Sequence, residues 1–158
     1  YVARSEPVII TGAALEATHG IEWTDEWLES LCHLDATHGG RPWNSIIEVN
    51  KVIVSNTRWP IEHSVTFCDF LRDYQKPAYR DRYYVVSPLT DAGVQLGRHV
   101  QLPSVLGCWE LHESIHNTRL WMSSGNTASS LHFDTHENLM LQVVGTKSVY
   151  FWPPSESH

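Results

Sequence analysis

The chain has 158 residues, of which 42% are hydrophobic and 18% charged, which is enough for one packed domain and too apolar for a disordered segment. A formal net charge of −7 gives no electrostatic footprint for nucleic acid or for an anionic membrane, and no apolar run reaches the length of a membrane span. The three cysteines, Cys32, Cys68 and Cys108, are widely spaced and form no CxxC pair, so the expectation is buried free thiols, with neither a disulfide framework nor a zinc ribbon. The sequence opens on Tyr1, and both ends lie in structured-looking sequence, so we read it as a piece of a longer protein.

Taken in order, Pro7–Gly12 (PVIITG) reads as a short buried strand ended by glycine. Thr24 then caps a helix whose first turn carries Asp25 and Glu26, where acids suit the helix dipole. Trp27, Leu28, Leu31 and Leu34 recur at helical spacing and give that helix one apolar face. His38 to Pro42 is a loop. Ser45 to Val54 is rich in Ile and Val and reads as a strand, broken at Arg58-Trp59-Pro60. Ser64 can cap a second helix reaching Tyr74, with Phe67, Phe70, Leu71 and Tyr74 on its buried side. Tyr83 to Val86 is another strand. Between 87 and 118 the glycines and prolines break any long element, and short strands follow. The pattern predicts a mainly β core with helices packed outside it.

The chemistry concentrates between Leu120 and Pro154. His132 and Asp134 are two residues apart, so on a strand they share a face at roughly 6.6 Å along it. An imidazole and a carboxylate in that relation can reach one divalent first-row metal, and two histidines with one carboxylate mark the facial triad of non-haem iron oxygenases. The alternative for the pair is a strand with a surface His and Asp. Gly145-Thr146 can form a two-residue turn, which would set Val144 opposite Lys147, Gln142 opposite Val149 and Met140 opposite Phe151. Lys147 would then begin an apolar face, where its charge calls for an anionic partner such as a ligand carboxylate. The alternative for Lys147 is a turn-edge lysine reaching solvent.

A second motif competes. His112-Glu113-Ser114-Ile115-His116 matches HExxH, in which two histidines one helical turn apart bind zinc and the glutamate acts as base. Asn117 and Thr118 are poor helix formers, and there is room for only a short helix before Leu120. A chance match in a chain with 10 His is the preferred reading.

The Leu120-Trp121 strand, the Gly125-Asn126-Thr127 loop, Leu131-His132-Phe133-Asp134, Glu137-Asn138, Gly145-Thr146-Lys147 and Phe151-Trp152-Pro153-Pro154 together resemble the JmjC-type, cupin-like branch of the Fe(II)- and 2-oxoglutarate-dependent dioxygenases. They are most similar to small hydroxylase members such as the asparaginyl hydroxylase acting on hypoxia-inducible factor. Pro7–Gly12 and Phe67–Leu71 resemble the N-terminal part of the same family. The resemblance implies a double-stranded β-helix (jelly-roll), incomplete at its C-terminus, with residues 1–118 supplying N-terminal helices and strands and residues 119–158 the first core barrel strands. It implies Fe(II) and 2-oxoglutarate as cofactors, with His132 and Asp134 as iron ligands. Lys147 and Ser129 would hold the distal carboxylate of 2-oxoglutarate, and Asn138 would stand near the same cosubstrate. The hairpin register places Asn138 opposite Pro153, about 20 Å from Lys147, which sits uneasily with that role.

The reaction implied is hydroxylation of a protein side chain, or demethylation of an N-methyl group, with O₂ consumed and a protein or peptide as substrate. A homodimer stays open, and the family together with the unpaired cysteines implies a cytoplasmic or nuclear protein. The family's second histidine ligand lies on a later strand, and only 24 residues follow Asp134, so the fragment is expected to lack that ligand and to bind iron poorly by itself. His136 shares the face of His132 but stands too far along a straight strand to converge on the same ion. A non-catalytic cupin-like binding module, and less plausibly a zinc peptidase, are the other functions left open.

Overall fold

The structure, a computed structural model, describes residues 4, 6–37, 46–49, 61–62, 67–89 and 94–156. Its helices are α1 (Ala13–Ala17), α2 (Asp25–Thr37), α3 (Phe67–Asp73), α4 (Val94–Gly97) and α5 (Trp109–Ser114), and its strands β1 (Ile46–Val49), β2 (Ile61–Glu62), β3 (Tyr83–Pro88) and β4 (Arg119–Ser123). The strands form one antiparallel sheet in the order β2-β1-β3-β4.

Local chemistry sets the main helices. The Thr24 hydroxyl accepts from the Trp27 amide at 3.2 Å, and the Leu28 amide donates to the Thr24 carbonyl at 3.0 Å. Those two bonds start α2 where the capping residue calls for it. The amide bond of Glu26 with its own carboxylate, followed by the Thr24 side chain, holds the Glu26 carboxyl below its ordinary value. α3 buries Phe67, Phe70 and Leu71 on one side. These join Trp23 and Leu28 from the α2 side, Val85 of β3, and Leu89 and Leu96 in a single core. Phe70 stacks on Tyr74 at 5.6 Å. The Tyr74 hydroxyl donates to Asp25 at 2.7 Å and so ties the end of α3 to the start of α2.

β3 is a central strand, and Tyr84, Val85 and Val86 are all buried. Side chains alternate across a strand, so the two faces of the sheet differ. Val85 pairs with Met122, and both, with Leu120, face the helical core. Tyr84 and Trp121 lie on the other face, edge to face at 5.7 Å. The helices thus cover one side of the sheet, and the indole of Trp121, 51% exposed, marks the other.

Several expectations are corrected. Pro7–Gly12 forms no strand; Ile9 is 90% exposed, because an apolar run becomes a strand only where a neighbouring strand offers ladder partners. The thiols expected to be free and buried are not: Cys32 and Cys68 form a disulfide with Cα atoms 5.9 Å apart, and Cys108 is exposed. Packing of α2 on α3 brings together two cysteines 36 positions apart, a distance that spacing rules do not address. Among the described residues helix also exceeds strand, so a mainly β composition is not what they form. The strand expected to run to Val54, its break at Arg58–Pro60 and the Ser64 cap lie outside the described residues.

The largest correction lies at the C-terminal end. β4 is the only strand among the described residues after 118. The hairpin expected across Gly145-Thr146 is not formed, although the chain bends at Val144-Gly145 and Gly145 takes φ +76°. The turn chemistry is therefore present without the ladder. A two-stranded hairpin in water is marginal unless its apolar face is covered, and Val144, Val149 and Phe151 stay exposed. The single sheet likewise forms only part of what a jelly-roll needs, because that fold packs two sheets face to face.

Candidate functional site

The chain leaves β4 through a tight polar junction. Ser124 is buried, and its hydroxyl accepts from the amides of Tyr83 (2.9 Å) and Arg82 (3.2 Å) and donates to the Tyr79 carbonyl (2.7 Å). Its own amide donates to the Tyr83 carbonyl, and its carbonyl accepts from the Asp81 amide. Next to it, Gly125 has φ +114°, which favours glycine, and a Cβ there would lie 2.4 Å from the Asp81 carboxylate, which would have to swing aside. Asn126 Nδ2 donates to the same Asp81 oxygen at 3.1 Å. The Ser123 and Thr127 hydroxyls meet at 2.8 Å. This knot pins the segment that carries the candidate residues to the start of β3.

Beyond it the chain has no ladder bonds and bends at Leu131 and at Thr135-His136, yet His132 and Asp134 lie near each other. His132 Nε2 stands 4.0 Å from Asp134 Oδ1, with the two side chains 56% and 57% exposed. His132 Nδ1 donates to the Ser130 carbonyl at 2.7 Å. A carbonyl can only accept, so that bond places a proton on Nδ1 and leaves Nε2 as the nitrogen on the Asp134 side. Asn138 Nδ2 donates to the other carboxylate oxygen, Oδ2, at 2.7 Å.

Whether the pair could share a metal turns on the distance from Nε2 to Oδ1. An imidazole nitrogen and a carboxylate oxygen each about 2.1 Å from one ion are about 3.0 Å apart in neighbouring coordination positions and about 4.2 Å apart in opposite ones. A facial pair occupies neighbouring positions, so from the 4.0 Å found here the two atoms would have to close by about 1 Å to share one ion. No cluster of three or more His, Cys, Asp or Glu side chains able to hold an ion occurs among the described residues, so the pair would need a third ligand from elsewhere.

The other sequence candidates are placed as follows. Lys147 Nζ lies 5.8 Å from the centre of the Trp121 ring, a cation–π contact that brings the lysine onto the face of the sheet opposite the described helical core. Ser129 is exposed, three positions before His132. Asn138 meets Asp134, not the Pro153 position that the hairpin register gave it. His136 turns away from the pair: its Nδ1 meets the Thr135 hydroxyl at 3.0 Å, and its ring meets His116 edge to face at 5.5 Å.

HExxH does not make a zincin here. α5 ends at Ser114, and the C-cap Ile115 is extended, so His116 leaves the helix that would have to carry both histidines. Sequence reasoning missed the Ser130 carbonyl, the Ser124 junction and the Trp121–Lys147 contact. None has a pattern of its own; the glycine at 125 was the one local hint.

Comparison with known proteins places the chain among JmjC-type relatives. JmjC domain-containing protein E of Dictyostelium discoideum is 25% identical over 98% of the chain and 48% of its own length. The lysine-specific demethylase JMJ30 of Arabidopsis thaliana is 27% identical over 97% of the chain and 34% of its own length. JMJ31, a lysine-specific demethylase of the same plant, is 39% identical over 39% of the chain and 11% of its own length. The chain thus spans less than half the length of each of these relatives. No solved structure is significantly similar to it. The model of the cupin-like domain matches residues 1–158, which is every position of the sequence, and the chain therefore belongs to the cupin-like, JmjC-type domain family.

Proposed function

We propose that this chain carries the metal- and cosubstrate-binding part of an Fe(II)- and 2-oxoglutarate-dependent oxygenase that acts on a protein. The observation that carries the reading is the oriented pair. His132 gives its Nδ1 proton to Ser130 and presents Nε2 toward Asp134 Oδ1 at 4.0 Å, the outer-bond arrangement that fixes the tautomer of metal-binding histidines. When bound, the iron would supply the coordination sites at which oxidative decarboxylation of 2-oxoglutarate by O₂ is coupled to oxygenation of a C–H bond.

The chain's own part is to bind and orient. His132 and Asp134 would hold the ion. Lys147, with Ser129, would take the distal carboxylate of 2-oxoglutarate, and Lys147 already lies on the Trp121 face. The substrate class favoured is an N-methylated lysine side chain, because two of the relatives carry the name lysine-specific demethylase. Hydroxylation of an unmethylated side chain is the same chemistry without loss of the carbon.

The third ligand, and the strands that would complete a jelly-roll, belong on this reading to the part of the protein that the longer relatives have in addition. Exposed Leu131, Phe133, Met140, Tyr150, Phe151 and Trp152 support that view. Phe133 is 87% exposed, and so much apolar surface on one segment calls for a cover.

The test is succinate formation from 2-oxoglutarate by the full-length polypeptide with Fe(II). His132→Ala should abolish turnover. Lys147→Ala should raise the 2-oxoglutarate requirement roughly 10- to 100-fold, the worth of one hydrogen bond to a charged group. An intact protein that forms no succinate, with or without methylated peptides, refutes the reading in favour of a non-catalytic binding module.

A further inference from the structure

Asn138 has a place in the structure that neither the sequence pattern nor the proposed activity supplies. The chain bends at Thr135-His136 and brings residue 138 back onto residue 134. There the Asn138 Nδ2 donates to Asp134 Oδ2 at 2.7 Å, while Asp134 Oδ1 stands 4.0 Å from His132 Nε2. Resting on the oxygenase reading above, we infer that Asn138 is a positioning residue for the metal pair: it holds one carboxylate oxygen of Asp134 so that the other is presented to the ion beside His132.

The two oxygens of a free carboxylate are chemically equivalent, and rotation about χ2 of aspartate is broad. An exposed aspartate would therefore offer either oxygen, or both, in many orientations. One amide donor removes that equivalence. Its bond to an ionised oxygen is of the stronger, charge-assisted kind, and an amide NH₂ can only donate, so Asn138 selects Oδ2 and leaves Oδ1 open. The Ser130 carbonyl does the complementary work on His132. Each ligand then has one outer partner, the condition under which an exposed pair enters coordination already oriented. Loss of such an outer partner typically weakens metal binding 10- to 100-fold. Asn138 is exposed and absent from the core, so its replacement should leave folding intact.

The experiment titrates the full-length polypeptide with Mn(II) alone, without 2-oxoglutarate, by calorimetry, beside a thermal melt of each variant. Asn138→Ala and Asn138→Leu should bind Mn(II) 10- to 100-fold more weakly than the native protein with unchanged Tm, and Asn138→Gln, which keeps the amide donor, should recover most of the loss. An Asn138→Ala affinity within twofold of native overturns the inference. If a second titration, of the Mn(II)-loaded protein with 2-oxoglutarate, then shows weaker binding in that variant, Asn138 serves the cosubstrate alone. His132→Ala separates the two levels of the argument: a variant that binds Mn(II) like the native protein, or a native protein that binds none, overturns the metal reading and this inference with it.

Discussion

Replacing Ser124 by alanine removes three hydrogen bonds at the junction between β3 and the segment that carries the candidate site. The Tyr83 amide loses this acceptor, while the Arg82 amide and the Tyr79 carbonyl keep each other at 3.1 Å. A buried polar group left without a partner costs about 1–3 kcal/mol. The cost falls mainly on the part-buried Tyr83 amide. The expected loss is therefore about 1–3 kcal/mol, with Tm lowered by roughly 2–12 °C at the scaling for a chain of this size. Ser123→Ala is the control. Its hydroxyl bonds the Gly125 amide and Thr127 in a part-buried setting, and its loss should cost about 1 kcal/mol. Urea unfolding followed by circular dichroism measures both, and an unchanged m-value would show that the denatured state is the same. A Ser124→Ala protein within about 0.5 kcal/mol of native, the ordinary range for surface substitutions, would refute the reasoning, since the hydroxyl could not then be the hub described.

Two further outcomes follow from the packing of α2 and α3. The Cys32–Cys68 bond closes a separation of 36 positions, for which loop entropy gives a stabilisation of roughly 3–4 kcal/mol; Cys68→Ser, or the native protein under a phosphine reductant, should unfold at correspondingly lower urea, and coincident midpoints or two free thiols in a peptide map would remove the pairing. Burial first, and then the bond to Asp25, raise the Tyr74 phenol above its ordinary value. The neutral phenol is the form favoured on folding, so its contribution is complete below the unfolded value near about 10 and is lost as pH rises through the higher folded value. Native protein should therefore lose more Tm than Tyr74→Phe between about pH 9 and about pH 11, and parallel melting curves for the two would contradict the assignment.

By itself the sequence determined whatever depends on period and caps. Thr24 before Asp25 and Glu26 starts α2, because a hydroxyl must meet an orphan amide of the first turn. Phe67, Phe70 and Leu71 mark the buried side of α3, because helical spacing lines them up. The aromatic and β-branched run at Tyr83 makes β3. The HxD spacing likewise set His132 and Asp134 side by side, and the motifs around it named the family.

Tertiary structure decided every relation between distant positions. Cys32 met Cys68 because two helices pack, and Lys147 met Trp121 because β4 turns that ring to the face opposite the described helical core. His116 left its helix for His136. The hairpin read from Gly145-Thr146 did not form, because turn residues fix a bend while a ladder needs a covered face. Asn138, placed far off by that register, came to Asp134 through a bend at Thr135-His136 that no sequence period records. Spacing along the chain is a local property. Which side chains meet depends on where the chain is held, and here it is held by Ser124.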